Sequence, residues 1–185
     1  YRNRESLPEV YIDGENYLRG RIDRIDKSDE FVRIIDYKTG NKEFKIVNLL
    51  NGLDLQLLVY MMAASLNDKE IMVPIGSFYM PLADEITTLK EGYSKEAIES
   101  STLDKFRING LIIKINEEIF RLIDNDSDSL KDSSIINMKK SDILDPIQAE
   151  KLQEFAKNLV AKYIRNIKDG DIRLNPQSYG KDRKE

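Results

Sequence analysis

The 185-residue chain contains no cysteine and no histidine. Without cysteine there are no disulfides and no cysteine-bound zinc or iron-sulfur centre in this chain, a usage that fits a reducing cytoplasm. No apolar run approaches the roughly 20 residues needed to cross a bilayer, and no signal-peptide pattern opens the sequence, so no membrane role is expected. An excess of positive charge is also missing. The formal net charge is -4 and the isoelectric point is near 5.2, whereas affinity for phosphate chains comes largely from lysine and arginine. Net charge says little about local fields, and carboxylates that hold cations can meet a phosphate through the metal. A weak grip on nucleic acid is therefore the expectation for this chain alone. What is present, 41% hydrophobic and 34% charged residues, describes one soluble globular domain with a real core.

The most informative stretch runs from Leu18 to Lys38, LRGRIDRIDKSDEFVRIIDYK. It reads as a hairpin: a strand LRGRIDRID, a polar turn Lys27-Ser28-Asp29-Glu30, and a strand FVRIIDYK rich in β-branched and aromatic residues. Alternation along the second strand puts Asp36 and Lys38 on one face and Ile35 and Tyr37 on the other. A carboxylate and an ammonium inside an apolar strand are unusual, because buried charges need a partner or a metal. Neighbouring strands lie about 4.8 Å apart, so Asp23 on the first strand is expected to approach Asp36 closely enough for both to hold one cation. Mg²⁺ or Mn²⁺, which prefer oxygen, suit that pair, with the Tyr37 backbone carbonyl and waters as further ligands. Two carboxylates and a lysine suffice for metal-assisted attack on a phosphodiester. Lys38 would orient the attacking water and offset developing charge. The ordinary alternative is a strand-edge salt bridge of Asp36 or Asp23 with Lys38 or Arg21.

Asp23, twelve intervening residues, then Asp36-x-Lys38 resembles the PD-(D/E)XK nuclease superfamily. GRID, DYK and the Gln56-x-x-x-Tyr60 spacing look like its RecB-type branch. The phrases GRIDRID, RIIDYKTG, NGLDLQLLVYM and FRINGLIIKINEEIFRLID, in this order, resemble the C-terminal nuclease domain of the B subunit of the bacterial ATP-dependent helicase/deoxyribonuclease (AddB/RexB type). The likeness spans about Leu7 to Pro176. It implies a restriction-endonuclease-like α/β fold, with a mixed sheet opened by an antiparallel meander and flanked by helices. It also implies a Mg²⁺-dependent exonuclease that cleaves one strand 5′ to 3′ and processes double-strand breaks for recombinational repair, in the bacterial cytoplasm, partnered by the helicase A subunit. Gln56 would reach from its helix towards the metal site or substrate backbone, and Tyr60 would hold the same face; their plain reading is a buried hydrogen-bonded pair. Arg21, Arg24 and Lys42 are candidates for DNA phosphates, or simply a solvated face. Asp26 is expected to cap the turn. The family carries a further histidine or acidic ligand on a preceding helix, and its B subunit holds a 4Fe-4S cluster through four cysteines. Neither feature is present, so the chain is expected to be a fragment of a longer polypeptide. Two alternatives stay open: a non-catalytic DNA-end-binding or subunit-docking module on a relic nuclease fold, and another RecB-like exonuclease.

Around that stretch, Asp13-Gly14 predicts a tight hairpin turn after Val10-Tyr11-Ile12, making Leu18 to Asp26 the middle strand of a three-stranded meander. Thr39-Gly40-Asn41-Lys42 lacks the spacing of a phosphate loop and reads as a turn. Leu53 to Leu66 is apolar nearly all round and predicts a buried helix with Gln56, Tyr60 and Ala63 on one stripe. Ile71 to Leu82 predicts a buried strand whose Pro74 and Pro81 point to an edge or a bulge. Residues 83–141 are read as an insertion on a core of about 7–82 and 142–175, with strands at Leu103 to Ile108 and Leu111 to Ile115, an Asn109-Gly110 hairpin turn and a helix at Glu117 to Ile123. Asp124 to Ser134 lacks the glycine and glutamate of a calcium loop. Asp145-Pro146 starts a helix whose stripe from Leu152 to Ile167 predicts core packing as far as Asp169-Gly170.

Overall fold

The computed structural model describes residues 9–40, 42–66, 71–82, 105–114, 116–122, 124, 132–171 and 173. Of the sequence expectations, Asn41 of the 39–42 turn, Leu103, Ile115, Ile123 and the stretch from Asn125 to Lys131 lie outside them. A short ribbon of β1 (Val10–Tyr11) and β2 (Tyr17–Leu18) precedes a hairpin of β3 (Arg24–Ser28) and β4 (Phe31–Lys38). Two helices follow, α1 (Ile46–Leu50) and α2 (Gln56–Ser65), then β5 (Val73–Pro81) and β6 (Asn109–Ile113). The short α3 (Glu117–Phe120), a 3₁₀ turn at Met138–Lys140, β7 (Asp142–Leu144) and the long α4 (Pro146–Lys168) complete the order. β3-β4-β5-β6-β7 form one mixed sheet, antiparallel at β3/β4 and β5/β6 and parallel at β4/β5 and β6/β7. β6 thus belongs to this sheet, although it falls within the 83–141 stretch.

The strands and their turns depart from expectation in three places. The meander does not form: β1 and β2 make a separate two-stranded sheet, and residues 19–23 interrupt the strand between β2 and β3. The reason lies in side chains that take over ladder groups. Tyr60 donates its hydroxyl to the Arg21 carbonyl at 3.0 Å, and the Asp23 carboxylate accepts the Tyr37 N–H at 3.0 Å. The first turn is likewise set by Asp13, whose carboxylate accepts the backbone N–H groups of Glu15 and Asn16, an Asx arrangement in which Gly14 needs no left-handed backbone. Asn109-Gly110, finally, is no turn but the first half of β6. A Cβ on Gly110 would stand 2.2 Å from the Ser77 carbonyl oxygen, so glycine is there to let two strands close.

β5 is the central strand, not an edge, and its prolines are accommodated at its ends. Pro74 pairs with Val32 where the register shifts between Val32 and Arg33, the bulge being the expected device, and Pro81 is the last residue. One face of the sheet packs Val32, Ile34, Tyr79 and Leu111 against Leu57, Leu58 and Met61 of α2. The other packs Ile75, Phe78 and Ile112 against Phe120 and Ile136. α2 is apolar all round because Met62 and Ala63, on its far side, meet Val10, Ile12 and α4. Each fully buried Leu or Ile contributes about 1.5–3 kcal/mol of transfer free energy, so this helix is fixed firmly over the sheet.

α4 starts as expected. Asp145 accepts the Gln148 N–H at 2.8 Å while the Gln148 side chain accepts the Asp145 N–H at 3.0 Å, a capping box with Pro146 behind it. Gly170, at φ 71°, follows its end. Its stripe is only partly core: Ala149, Leu152 and Ala156 are buried, but Ile167 is 74% exposed and Phe155 and Tyr163 are also exposed. The helix outlasts the surface it covers. No helix among the described residues is long and apolar enough to cross a membrane.

Candidate active site

The carboxyl ends of the parallel pair β4 and β5 carry the polar residues that interrupt the core. In open α/β sheets this is where side chains and helix starts converge on a ligand. Val32, Ile34, Asp36 and Lys38 share the face of β4 turned to α2, and Asp36 lies beside Tyr79 of β5 in the ladder. Period-2 alternation therefore delivers a charge pair into the space that Ile34 fills one step earlier.

Asp36 is only 2% exposed. A buried carboxylate is costly unless it is paired. Lys38 Nζ stands 2.6 Å from Asp36 Oδ2, and Gln56 Nε2 donates to Asp36 Oδ1 at 2.9 Å. The Gln56 carbonyl oxygen accepts from Lys38 Nζ at 2.7 Å, closing a three-residue ring. The second Gln56 amide hydrogen goes to the Tyr60 hydroxyl at 2.7 Å, which in turn donates a hydrogen bond to the Arg21 carbonyl. Every polar position of Gln56 is thus used, and this fixes the orientation of its amide. Burial pushes the Tyr60 phenol above its usual value, the Gln56 bond opposes this, and the charges of Asp36 and Asp23 add to the rise. Tyr60 stays neutral and remains a donor.

Asp23 sits one residue before β3, and continuing the antiparallel register from Arg24 and Ile35 sets it opposite Asp36. It is exposed at the rim, with one oxygen on the Tyr37 N–H. The structure brings Asp36, Lys38, Gln56 and Tyr60 into one connected network and leaves Asp23 at its edge. Arg21 contributes its carbonyl, and its guanidinium belongs to an exposed residue. Arg24 is occupied by Asp26 at 2.6 Å and by the Tyr37 hydroxyl at 3.5 Å. Asp26 does not cap the turn: it bridges Arg24 and Arg33, at 2.6 and 2.7 Å, because all three alternate onto the same side of the hairpin. The turn is made instead by Asp29, in the left-handed region at φ 51°. Lys42 is paired with Asp54 at 2.5 Å.

Three polar residues beside the site escaped the sequence reading. Asp54, 3% exposed, takes Lys42 and, at 3.0 Å, the Asn48 amide. Tyr79 is buried between the two acids, and burial, then Asp54 and Asp36, push its phenol upward. The buried Asn109 accepts the Phe44 N–H at 2.7 Å and donates to the Lys42 carbonyl at 3.0 Å, tying the 42–44 loop to the sheet. An aspartate inside the apolar phrase NGLDLQ was the available signal for the first.

The residues present fit a hard divalent cation. Asp36 Oδ2 is buried and has no hydrogen bond, its contact with Lys38 being an ion pair by distance only. The donor set is oxygen alone. Among the described residues no group of three or more Asp, Glu, His or Cys is gathered.

The sequence matches the PD-(D/E)XK nuclease superfamily over residues 3–180. It is 34% identical over 194 residues to the B subunit of an ATP-dependent helicase/deoxyribonuclease of Clostridium novyi, covering 95% of this chain and 17% of that protein. The proteins of the same name from Clostridium acetobutylicum (31% identical over 204 residues, 99% of this chain, 17% of the relative) and Thermoanaerobacter sp. strain X514 (34% over 181 residues, 89% and 16%) are similar in the same way. The chain spans about a sixth of the length of these curated relatives. With its mixed sheet, flanking helices and Asp-x-Lys strand, the chain belongs to the PD-(D/E)XK nuclease superfamily.

Proposed function

We propose that this chain is the nuclease domain of a helicase/deoxyribonuclease, hydrolysing phosphodiesters of single-stranded or unwound DNA with Mg²⁺ or Mn²⁺. The observation that carries the reading is the closed Asp36, Lys38 and Gln56 ring at the end of β4, which keeps a buried carboxylate oxygen without a hydrogen bond. Asp36 and Asp23, with the Tyr37 carbonyl, would hold the cation. When bound, such an ion supplies positive charge to the scissile phosphate and makes a water more acidic. Lys38 would turn from Asp36 towards that water and towards the charge that builds in the transition state. Gln56 would keep Asp36 and Lys38 in register, and Tyr60 would anchor Gln56 to the Arg21 carbonyl. Arg21 and Lys42 would meet backbone phosphates, whereas Arg24 is held by Asp26 and the Tyr37 hydroxyl on the opposite side of the hairpin and takes no such part.

By likeness to its relatives, the reading extends to an exonuclease acting 5′ to 3′ on unwound ends during recombinational repair, in a bacterial cytoplasm, beside a helicase A subunit. An iron-sulfur cluster in such an assembly would take its cysteines from outside this chain, which has none. Incubating the whole protein with end-labelled single-stranded DNA and Mg²⁺ should give short products, released from the 5′ label first. Asp36→Ala and Lys38→Ala should abolish them while the circular dichroism of the fold persists. Undiminished cleavage in both variants would remove the assignment. DNA binding with no cleavage by the wild-type protein would favour a non-catalytic end-binding module.

A further inference from the structure

Beside the Asp36 network lies a second charge pair, Lys42 with Asp54. Asp54 is 3% exposed and precedes α2, two residues before Gln56. Its Oδ1 holds Lys42 at 2.5 Å and its Oδ2 accepts the Asn48 amide at 3.0 Å. Lys42 Nζ lies 5.7 Å from the centre of the Tyr79 ring. Lys38 Nζ lies 5.4 Å from the same ring centre. Two buried acids, Asp36 and Asp54, therefore each tether a lysine, and both ammonium groups lie close to the same aromatic ring.

An ammonium has three donors. Asp54 takes one from Lys42 and the ring attracts the cation as a whole, while the side chain keeps 41% of its surface open to solvent. A lysine ordered in advance has already lost the rotamer freedom that a free lysine loses on meeting a ligand. The backbone behind it is also fixed, since Asn109 holds the Lys42 carbonyl. A buried carboxylate that merely neutralised a surface lysine would be an expensive way to gain nothing, because exposed ion pairs contribute about 0–1 kcal/mol.

We propose that Asp54 is a positioning residue: it holds Lys42 over Tyr79 beside Lys38, so that Lys42 grips a backbone phosphate next to the one being cleaved. This rests on the nuclease reading of the Asp36 site. It assigns the substrate as a single strand bound through consecutive phosphates, with Lys38 at the reacting phosphate and Lys42 at its neighbour. Asp54 itself touches no substrate.

The test measures steady-state cleavage of a labelled single-stranded oligonucleotide by the whole protein, together with the salt dependence of its binding in Ca²⁺. Asp54→Asn, which keeps the Asn48 bond, should raise KM about tenfold with kcat within about twofold, as expected for lost uniform binding. Lys42→Ala should do the same and lower the slope of log affinity against log salt by about 0.7, one phosphate contact on a single strand. The double variant should be no worse than either single one, and Lys42→Arg should recover most of the KM. Unchanged KM and salt slope in Lys42→Ala, or additive losses in the double variant, would overturn the proposal; should Asp54→Asn fail to fold, Lys42→Ala and Lys42→Arg decide it. Asp36→Ala separates the two levels: if it leaves cleavage intact, the nuclease site itself is wrong, whereas abolished cleavage with an indifferent Lys42 sinks only the role of Asp54.

Discussion

Gln56 Nε2 and Asp36 Oδ1 meet at 2.9 Å, joining the first residue of α2 to the sixth residue of β4 across 20 positions of chain. The bond makes the position of a buried helix and the orientation of a charged strand one structural fact. Removing it exposes both to change.

Gln56→Ala deletes the bonds to Asp36, Lys38 and Tyr60 together. Hydrogen bonds to charged groups contribute about 1.5–3 kcal/mol each, and Asp36 and Lys38 are left with only their direct ion pair. The expected result is a loss of kcat of about tenfold to a hundredfold with KM little changed, alongside a lowered melting temperature. Gln56→Glu should be worse in activity, because it sets a second carboxylate against Asp36. Single-turnover cleavage of an oligonucleotide distinguishes the two.

Much of this site is legible in the sequence because strand alternation is a strict rule. Asp36 and Lys38 fall on the same face whatever the surroundings, and Gln56 and Tyr60 fall one helical turn apart. The aspartate in NGLDLQ is visible as an oddity, but the partners of Asp54 and the place of Tyr79 are not legible. Their roles depend on which strand neighbours β4, and a parallel partner 43 positions further on announces itself by no local pattern. Asn109-Gly110 misleads for the same reason. Its residues mark a turn by propensity, but a close strand approach and a buried amide use them differently. The exposed end of the α4 stripe shows the converse, apolar spacing that is real with no core beyond it among the described residues.

The cation fit predicts a stability change that needs no substrate. A ligand that binds only the folded state adds about 2.7 kcal/mol at a concentration 100 times its dissociation constant. Mg²⁺ or Mn²⁺ should therefore raise the melting temperature, EDTA should reverse the rise, and Asp36→Asn should abolish it. Equal shifts in wild type and Asp36→Asn would place the ion elsewhere.

Asp26 gives a pH signature on the β3/β4 hairpin. Burial pushes its carboxyl up, but the bonds from Arg24 and Arg33 outweigh this and hold it below 3.8. A carboxyl depressed by folding adds stability that is complete well above 3.8 and disappears as pH falls through the lower folded value. Urea unfolding of Asp26→Asn should show a loss of about 1 kcal/mol at neutral pH, in the range of partly exposed ion pairs. The difference from wild type should shrink as pH falls below about 4. A difference that widened on acidification would contradict the pairing.

Gly110 tests the packing that carries the site at its far edge. Its backbone is not left-handed, so alanine there is opposed by space alone. The added carbon would lie 2.2 Å from the Ser77 carbonyl oxygen and 2.8 Å from the Phe78 Cα, and both are strand backbone that cannot swing aside. Overpacking of this kind costs typically about 1–3 kcal/mol and occasionally more, and this one should reach the upper end. The displacement would be passed to Asn109, which ties down the 42–44 loop, and through that loop to Lys42. Gly110→Ala should accordingly lower the melting temperature and raise KM in the same variant, whereas Gly14→Ala, where nothing lies within 4 Å of the new carbon, should do neither. Calorimetry and cleavage kinetics on the two variants check the pair, and a Gly110→Ala protein as stable as wild type would show that β5 and β6 are not so closely joined.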